Sequence, residues 1–255
     1  MPDIMDSTSM QNLTTASNYG FSAVGLDALG ASEYTLVTIV ADISGSVTGW
    51  EKNLEDCLKA ICDSCQSSPR SDNLLLRLVS FNSHVKEVHG FRLLGDIDTN
   101  EYSGSLIPCG CTSLFDATHS AIEATADYGK ILVDQGDMSA NAVVYVLTDG
   151  MDNTSKNTAK EIKKAIDKTI QDEYLESMSV ILVGVGNDSG LSSYLTSFRT
   201  DADITQFVDL TELFQKTSPA KALAKLAGYV SKSISSTSKA LASGSSNISS
   251  SLLTI

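Results

Sequence analysis

Along the chain, four runs place apolar and β-branched residues almost without interruption: Tyr34 to Asp42 (YTLVTIVAD), Asn73 to Phe81 (NLLLRLVSF), Asn141 to Asp149 (NAVVYVLTD) and Met178 to Gly186 (MSVILVGVG). Short continuous runs of this kind predict strands covered on both faces, as in a parallel sheet. Between them the period becomes helical. Trp50 to Cys65 sets Leu54, Cys57, Leu58, Ile61 and Cys65 on one face, and Ser113 to Val133 does the same with Leu114, Ala117, Ala121, Ile122 and Thr125. Ala159 to Tyr174 follows with Ile162, Ala165, Ile166 and Ile170. TQFVDL reads as a last short strand, and Pro219 to about Leu241 as a last helix presenting Leu223, Leu226, Ala227, Val230 and Ile234.

Strand alternating with helix predicts a three-layer, doubly wound, Rossmann-like α/β fold, its mainly parallel sheet flanked by helices on both faces. HVKEVHGF, polar and joined to the preceding strand by Asn82-Ser83, predicts one antiparallel edge strand. Residues 1–32, rich in Ser, Thr, Asn and Gly, predict an N-terminal extended arm; 33–235 form the domain and 236–255 a Ser-rich C-terminal tail. The chain has no internal repeat.

Ligands of such sheets gather at the carboxyl ends of the strands, near the point where strand order reverses. Asp42, Ser44 and Ser46, in VADISGSV, lie where the first long run ends, and Asp149 lies at the same place in LTDG. Thr112, in PCGCTSLFDA, ends a long loop just before a helix. Two carboxylates and three hydroxyls on one rim are hard oxygen donors, suited to a small divalent cation that keeps some of its water. Mg²⁺ is the ion expected, with Mn²⁺ and Ca²⁺ as alternatives. Read alone, DISGS is also an ordinary turn and helix start, since Asp and Ser favour both; Thr112 and Asp149 at the matching places carry the metal reading. Asp152 and Asn153, just beyond, read as a solvated loop rather than as a brace for the site.

The set Asp42-x-Ser44-x-Ser46, Thr112 and Asp149-Gly150 resembles the metal-ion-dependent adhesion site, or MIDAS, of the von Willebrand factor A (VWA) domain family, and the resemblance extends from about Tyr34 to Ile234. It implies that Ser44, Ser46 and Thr112 bind the ion through their hydroxyls, with Asp42 and Asp149 binding directly or through water. It also implies that the open coordination position is filled by an acidic residue of a partner protein. The family segment before the threonine is commonly glycine-rich, whereas here Cys109 and Cys111 flank Gly110. The short format resembles stand-alone intracellular bacterial members, which implies a ring-forming ATPase, a phosphatase or a kinase as partner.

Other motifs weigh less. GVGNDSG follows a strand, but Ser189 stands where a dinucleotide fingerprint needs its third glycine, and the first βα unit already holds the candidate metal residues. Cys57 and Cys65 share a helix face and read as small core residues rather than ligands of zinc or an iron–sulfur cluster. His84, His89 and His119 are scattered, with no ligand spacing, and read as surface or capping residues. ISGSV lacks the strand-to-helix elbow of a serine nucleophile.

Composition narrows the function classes. A net charge of -13 disfavours nucleic acid as the main partner, because such binding is driven by Lys and Arg displacing counterions. The charge is uneven: from Leu213 onward Lys216, Lys221, Lys225, Lys232 and Lys239 meet no acid, which leaves -18 on the rest. Five cysteines, an odd number, and no apolar run long enough for a membrane span or a secretory leader predict a cytoplasmic protein. The leading expectation is a non-enzymatic, metal-dependent adaptor or scaffold. The alternative is a structural subunit of a viral or secretion-type assembly that makes its contacts through its terminal extensions. A metal-dependent hydrolase would need a base and a substrate pocket that the sequence does not reveal.

Overall fold

The continuous apolar runs become the central strands of one eight-stranded sheet. The computed structural model describes residues 10–242, apart from 187 and 189 and the side chains of 241 and 242. Its strands are β1 (Met10–Thr14), β2 (Gly20–Val24), β3 (Glu33–Asp42), β4 (Leu74–Phe81), β5 (Val85–Leu93), β6 (Ser139–Thr148), β7 (Ser177–Gly184) and β8 (Gln206–Asp209). The helices are α1 (Glu51–Gln66), α2 (Leu114–Gly136), α3 (Ala159–Gln171), α4 (Leu191–Asp201), α5 (Thr211–Lys216) and α6 (Pro219–Ala242). Strand order is β1-β2-β5-β4-β3-β6-β7-β8. From β4 to β8 all neighbours run parallel.

Every residue of β3 after Glu33 is buried, as is all of β4. Val37, Ile39 and Ala41 pack with Leu54 and Ile61 of α1 and with Leu226 and Val230 of α6. Val40 meets the opposite layer, formed by Leu114 and Ala117 of α2 with Ile162 of α3. The sheet is thus covered on both faces, and the doubly wound α/β expectation holds. Two helices lack a counterpart in the sequence pattern for a simple reason. α4 buries only Leu191, Leu195 and Phe198 amid Ser and Thr, and α5 is six residues long, too short to show a period.

At one edge the structure departs from expectation. The strand predicted there, β5, is antiparallel to β4 but interior, because β2 runs parallel to it on its other side and β1 forms the rim. The described part of the predicted N-terminal arm is therefore a β-hairpin, and its first nine residues lie outside the described residues. What holds the hairpin is tertiary. Gly90 lets β2 approach so closely that a Cβ there would sit 2.0 Å from the Ser22 carbonyl oxygen. Glu87 accepts hydrogen bonds from the Ser22 backbone N–H (2.9 Å) and hydroxyl (2.5 Å), and it pairs with the buried Arg77 at 2.7 Å. The Arg77 guanidinium lies about 6 Å from the ring centres of Phe21 and Phe91, within reach of a cation–π contact.

At the other terminus α6 continues past residue 235. Asn141 donates to the Thr237 carbonyl oxygen and Arg70 to the Ser238 hydroxyl, both at 2.9 Å, so the Ser-rich stretch begins as docked helix. Residues 243–255 of the predicted tail lie outside the described residues. Among the described residues, no helix is long and apolar enough to cross a membrane.

Candidate metal centre

β3 and β6 are parallel neighbours, so the residues that end them arrive at the same rim. Asp42 is the last residue of β3, and Asp149 is the first after β6. The chain leaving Asp42 turns back on itself: the Ser44 N–H donates to Asp42 Oδ1 at 2.8 Å, and the Ile43 N–H donates to the Phe81 carbonyl oxygen at 2.8 Å. The Ser44 and Ser46 hydroxyls lie 3.0 Å apart, and Ser46 donates to Asp149 Oδ1 at 2.8 Å. Thr112 joins them across Gly150, where a Cβ would stand 3.1 Å from Thr112 Oγ1 and 3.9 Å from Asp42 Oδ2. All five residues expected from the sequence come together here.

The loop before Thr112 is fastened to the serine turn. The Cys109 N–H donates to the Ile43 carbonyl oxygen (2.9 Å), and the Gly45 N–H donates to the Gly110 carbonyl oxygen (3.2 Å). Gly110 adopts a φ of +76°, and a Cβ there would press to 2.8 Å on the Ser83 hydroxyl, which in turn accepts the Cys111 N–H at 2.9 Å. One glycine thus makes the turn, while Cys109 and Cys111 stay exposed as free thiols. Cys57, Cys62 and Cys65 are buried and free, and burial pushes the first two thiols up to about 12 and the third to about 11.

Asp152 and Asn153 correct the expectation of a solvated loop. Asn153 Oδ1 accepts the Thr112 N–H (2.9 Å), and the Asn153 N–H returns a bond to the Thr112 carbonyl oxygen (3.0 Å). Asp152 accepts from the N–H of Phe115 at 3.2 Å and from Ser155. Together they clamp the start of α2, and with it Thr112. Thr148, also missed, donates to Asp42 Oδ2 at 2.7 Å from within the core. Its signal was a hydroxyl inside an otherwise apolar strand, next to a carboxylate. Of the histidines, His84 is exposed as expected, but the other two are not. His89 is buried in β5, bonded to the Gly90 carbonyl oxygen and the Tyr102 hydroxyl at 2.9 Å each, and His119 is buried on α2.

Electrostatically the rim is poised for a cation. Burial raises the Asp42 carboxyl above its ordinary range, against the hydrogen bonds it accepts from Thr148 and Ser44. Asp149 is pushed up to about 7, first by burial and then by the negative charge of Asp42, while bonds from Ser46 and Ser44 work the other way. One buried carboxylate and one half-buried carboxylate that repel each other, with three hydroxyls beside them, fit a hard divalent ion. Because only two of the donors are carboxylates, this set differs from the clusters of three acidic, His or Cys side chains of many metal sites, and none of those occurs among the described residues. The centre opens into a pocket of about 640 Å³ whose lining includes Trp50, Phe214 and Pro219.

No family model matches the chain, and no curated protein matches it either. Solved structures do. The PilB minor pilin from Streptococcus sanguinis superposes with a TM-score of 0.56 at 15% identity, covering 86% of this chain and 65% of its own. Proximal thread matrix protein 1 from the mussel byssus, in a structure with a zinc-occupied MIDAS motif, gives 0.50 at 16% identity over 82% of this chain and 47% of its own. The open conformation of the pilus adhesin SpaC from Lactobacillus rhamnosus GG gives 0.51 at 13% identity, over 81% and 30% respectively. This chain thus spans less than two thirds of the length of each. At such identities the likeness is one of fold.

Proposed function

We propose that this protein is a VWA-type recognition module that binds a protein partner through a divalent cation held by Asp42, Ser44, Ser46, Thr112 and Asp149, without catalysing a reaction. The observation that carries this reading is the convergence of these five side chains at one rim, with the Asp149 carboxyl held at about 7 by burial and by Asp42. Mg²⁺ is the proposed ion, and Mn²⁺ and Ca²⁺ are the alternatives. When bound, the cation supplies positive charge with room for one external oxygen ligand. The chain's own residues do the rest. Asp42 already accepts bonds at both carboxyl oxygens, Asn153 and Asp152 fix the Thr112 loop, and Ser46 reaches from the exposed turn to Asp149. A carboxylate from a partner is the natural further ligand for so few anionic donors.

Calorimetric titration of the chelator-stripped protein with Mg²⁺, Mn²⁺ and Ca²⁺, repeated on Asp42→Ala, tests the site. The wild type binds one ion per chain and the variant none; equal affinity in both would remove the assignment.

A second reading, a structural subunit of a larger assembly, draws on two observations: the minor pilin and the byssus matrix protein among the fold neighbours, and the outer edge of β1, which pairs with no further strand among the described residues. Affinity capture with Mg²⁺ and with chelator separates the two. Interactors released by chelator belong to the recognition module, whereas interactors that persist and depend on the hairpin belong to the subunit.

A further inference from the structure

The five cysteines fall into two groups. Cys57, Cys62 and Cys65 are buried among apolar side chains, whereas Cys109 and Cys111 are exposed free thiols one residue apart. Reaction with a soluble disulfide requires access, so only the second pair is open to it. Across one intervening residue two Cα atoms lie at most about 7 Å apart, close to the longest span that a disulfide bridges. The turn at Gly110, with its φ of +76°, brings them nearer.

The backbone of this pair is tied to three neighbours. The Cys109 N–H donates to the Ile43 carbonyl oxygen, the Gly110 carbonyl oxygen accepts the Gly45 N–H, and the Cys111 N–H donates to the Ser83 hydroxyl. Asn82 Nδ2 adds a bond to Cys109 Sγ at 3.1 Å. Gly45 stands between Ser44 and Ser46, so the Gly110 carbonyl joins the thiol pair to two residues of the metal centre. Thr112, on the other side, is fixed by Asn153 through both its N–H and its carbonyl oxygen. Movement of the Cys-Gly-Cys loop therefore passes to the serine turn rather than to Thr112.

We infer that Cys109 and Cys111 form a reversible disulfide site for low-molecular-weight disulfides of the glutathione class, and that its closure loosens the Ser44–Ser46 turn. One cysteine sulfur attacks oxidised glutathione, forming a mixed disulfide and releasing one glutathione thiol. The other cysteine sulfur attacks that mixed disulfide, forming the Cys109–Cys111 bond and releasing the second. Two protein thiols are oxidised, and their protons and electrons leave on two reduced glutathiones. To close, Cys109 Sγ leaves the Asn82 amide, and the ring is so small that the peptide planes on either side of Gly110 turn with it. An exposed, strained ring belongs among the readily reduced disulfides, which makes the change reversible. Resting on the metal reading above, the consequence is a weaker hold on the cation when the pair is oxidised.

The full chain is equilibrated with reduced or oxidised glutathione in chelator, alkylated and weighed intact, alongside Cys111→Ser. Wild type should lose two alkylation sites without retaining glutathione, and the variant should not form this bond. In oxidised wild type the Gly45 amide should exchange about fivefold faster, and calorimetric Mg²⁺ affinity should fall about tenfold, both restored by dithiothreitol and both unmoved in Cys111→Ser. Glutathione that stays on each thiol with no internal bond overturns the inference. So does an internal bond that leaves Gly45 exchange unchanged, or one that leaves unchanged the Mg²⁺ affinity of a protein that binds Mg²⁺ when reduced. Reduced wild type that binds no Mg²⁺ removes the metal reading instead, and the mass and the Gly45 exchange then decide this inference by themselves.

Discussion

Replacing Asp149 by Asn should stabilise the metal-free protein and abolish its response to Mg²⁺. The carboxyl sits at about 7 in the fold and near 3.8 in an unfolded chain, so between those values the folded state holds the extra proton. Stability contributed by this group is present at low pH and is lost as pH rises through about 7. A rise from 3.8 to about 7 corresponds at the most to about 4 kcal/mol against a neutral isostere well above pH 7. From pH 5 to pH 8 the gap between Asp149→Asn and wild type should widen by about 2 to 3 kcal/mol. Asn keeps an Oδ1 to accept the Ser46 hydroxyl, so the local hydrogen bond survives the change. Urea unfolding in chelator, at both pH values, measures the gap. The difference between the two proteins is the quantity to read, because other groups tilt each curve alone. In Mg²⁺ the wild type gains stability by mass action and the variant does not. A gap that stays constant or narrows from pH 5 to pH 8 would refute the account of Asp149 as a half-buried anion awaiting a cation.

Three further outcomes follow from other parts of the molecule. Thr112→Ala should weaken Mg²⁺ binding in calorimetry while leaving the urea midpoint in chelator nearly unchanged, since Asn153 holds that loop through the Thr112 backbone; a large loss of apo stability would assign the hydroxyl to folding instead. Glu87→Ala strands the buried Arg77 guanidinium and frees Ser22, so thermal or urea unfolding should show a loss of about 3 kcal/mol, and hydrogen exchange should rise in β2. His89 is held at about 4 by burial, below its ordinary 6.5, so its contribution is intact above pH 6.5 and is lost as pH falls toward 4, about 3 kcal/mol in all. His89→Gln should flatten that part of the pH–stability curve, and an unchanged slope would count against it.

The site was legible and the sheet edge was not, for one physical reason. Asp42, Ser44, Ser46 and Asp149 sit where continuous apolar runs stop, Thr112 stands just before the helix that starts on the same rim, and a chain leaving a doubly covered strand has few places to go except the carboxyl rim. Residue type and strand end together therefore located the centre without any knowledge of side-chain contacts. The residues that brace it carry no such mark. Asn153 acts through the backbone of Thr112, and Thr148 acts from within the core on Asp42, partnerships set by three-dimensional proximity across 41 and 106 residues.

The N-terminal hairpin shows the same limit from the other side. Met10 to Val24 has too few large apolar residues to announce two strands, and β1 has no fully buried position. Its place depends on Phe21 resting beside Arg77, on Glu87 bridging Arg77 to Ser22, and on Gly90 leaving room for the Ser22 carbonyl. None of these is periodic. A buried arginine in an otherwise apolar strand was the one visible hint, because a guanidinium withdrawn from water requires an acid nearby and Glu87 stands ten residues on. The hairpin is therefore held by polar specificity at a site the apolar pattern cannot reach, which is why the loss of Glu87 should be felt in β2 as well as in overall stability.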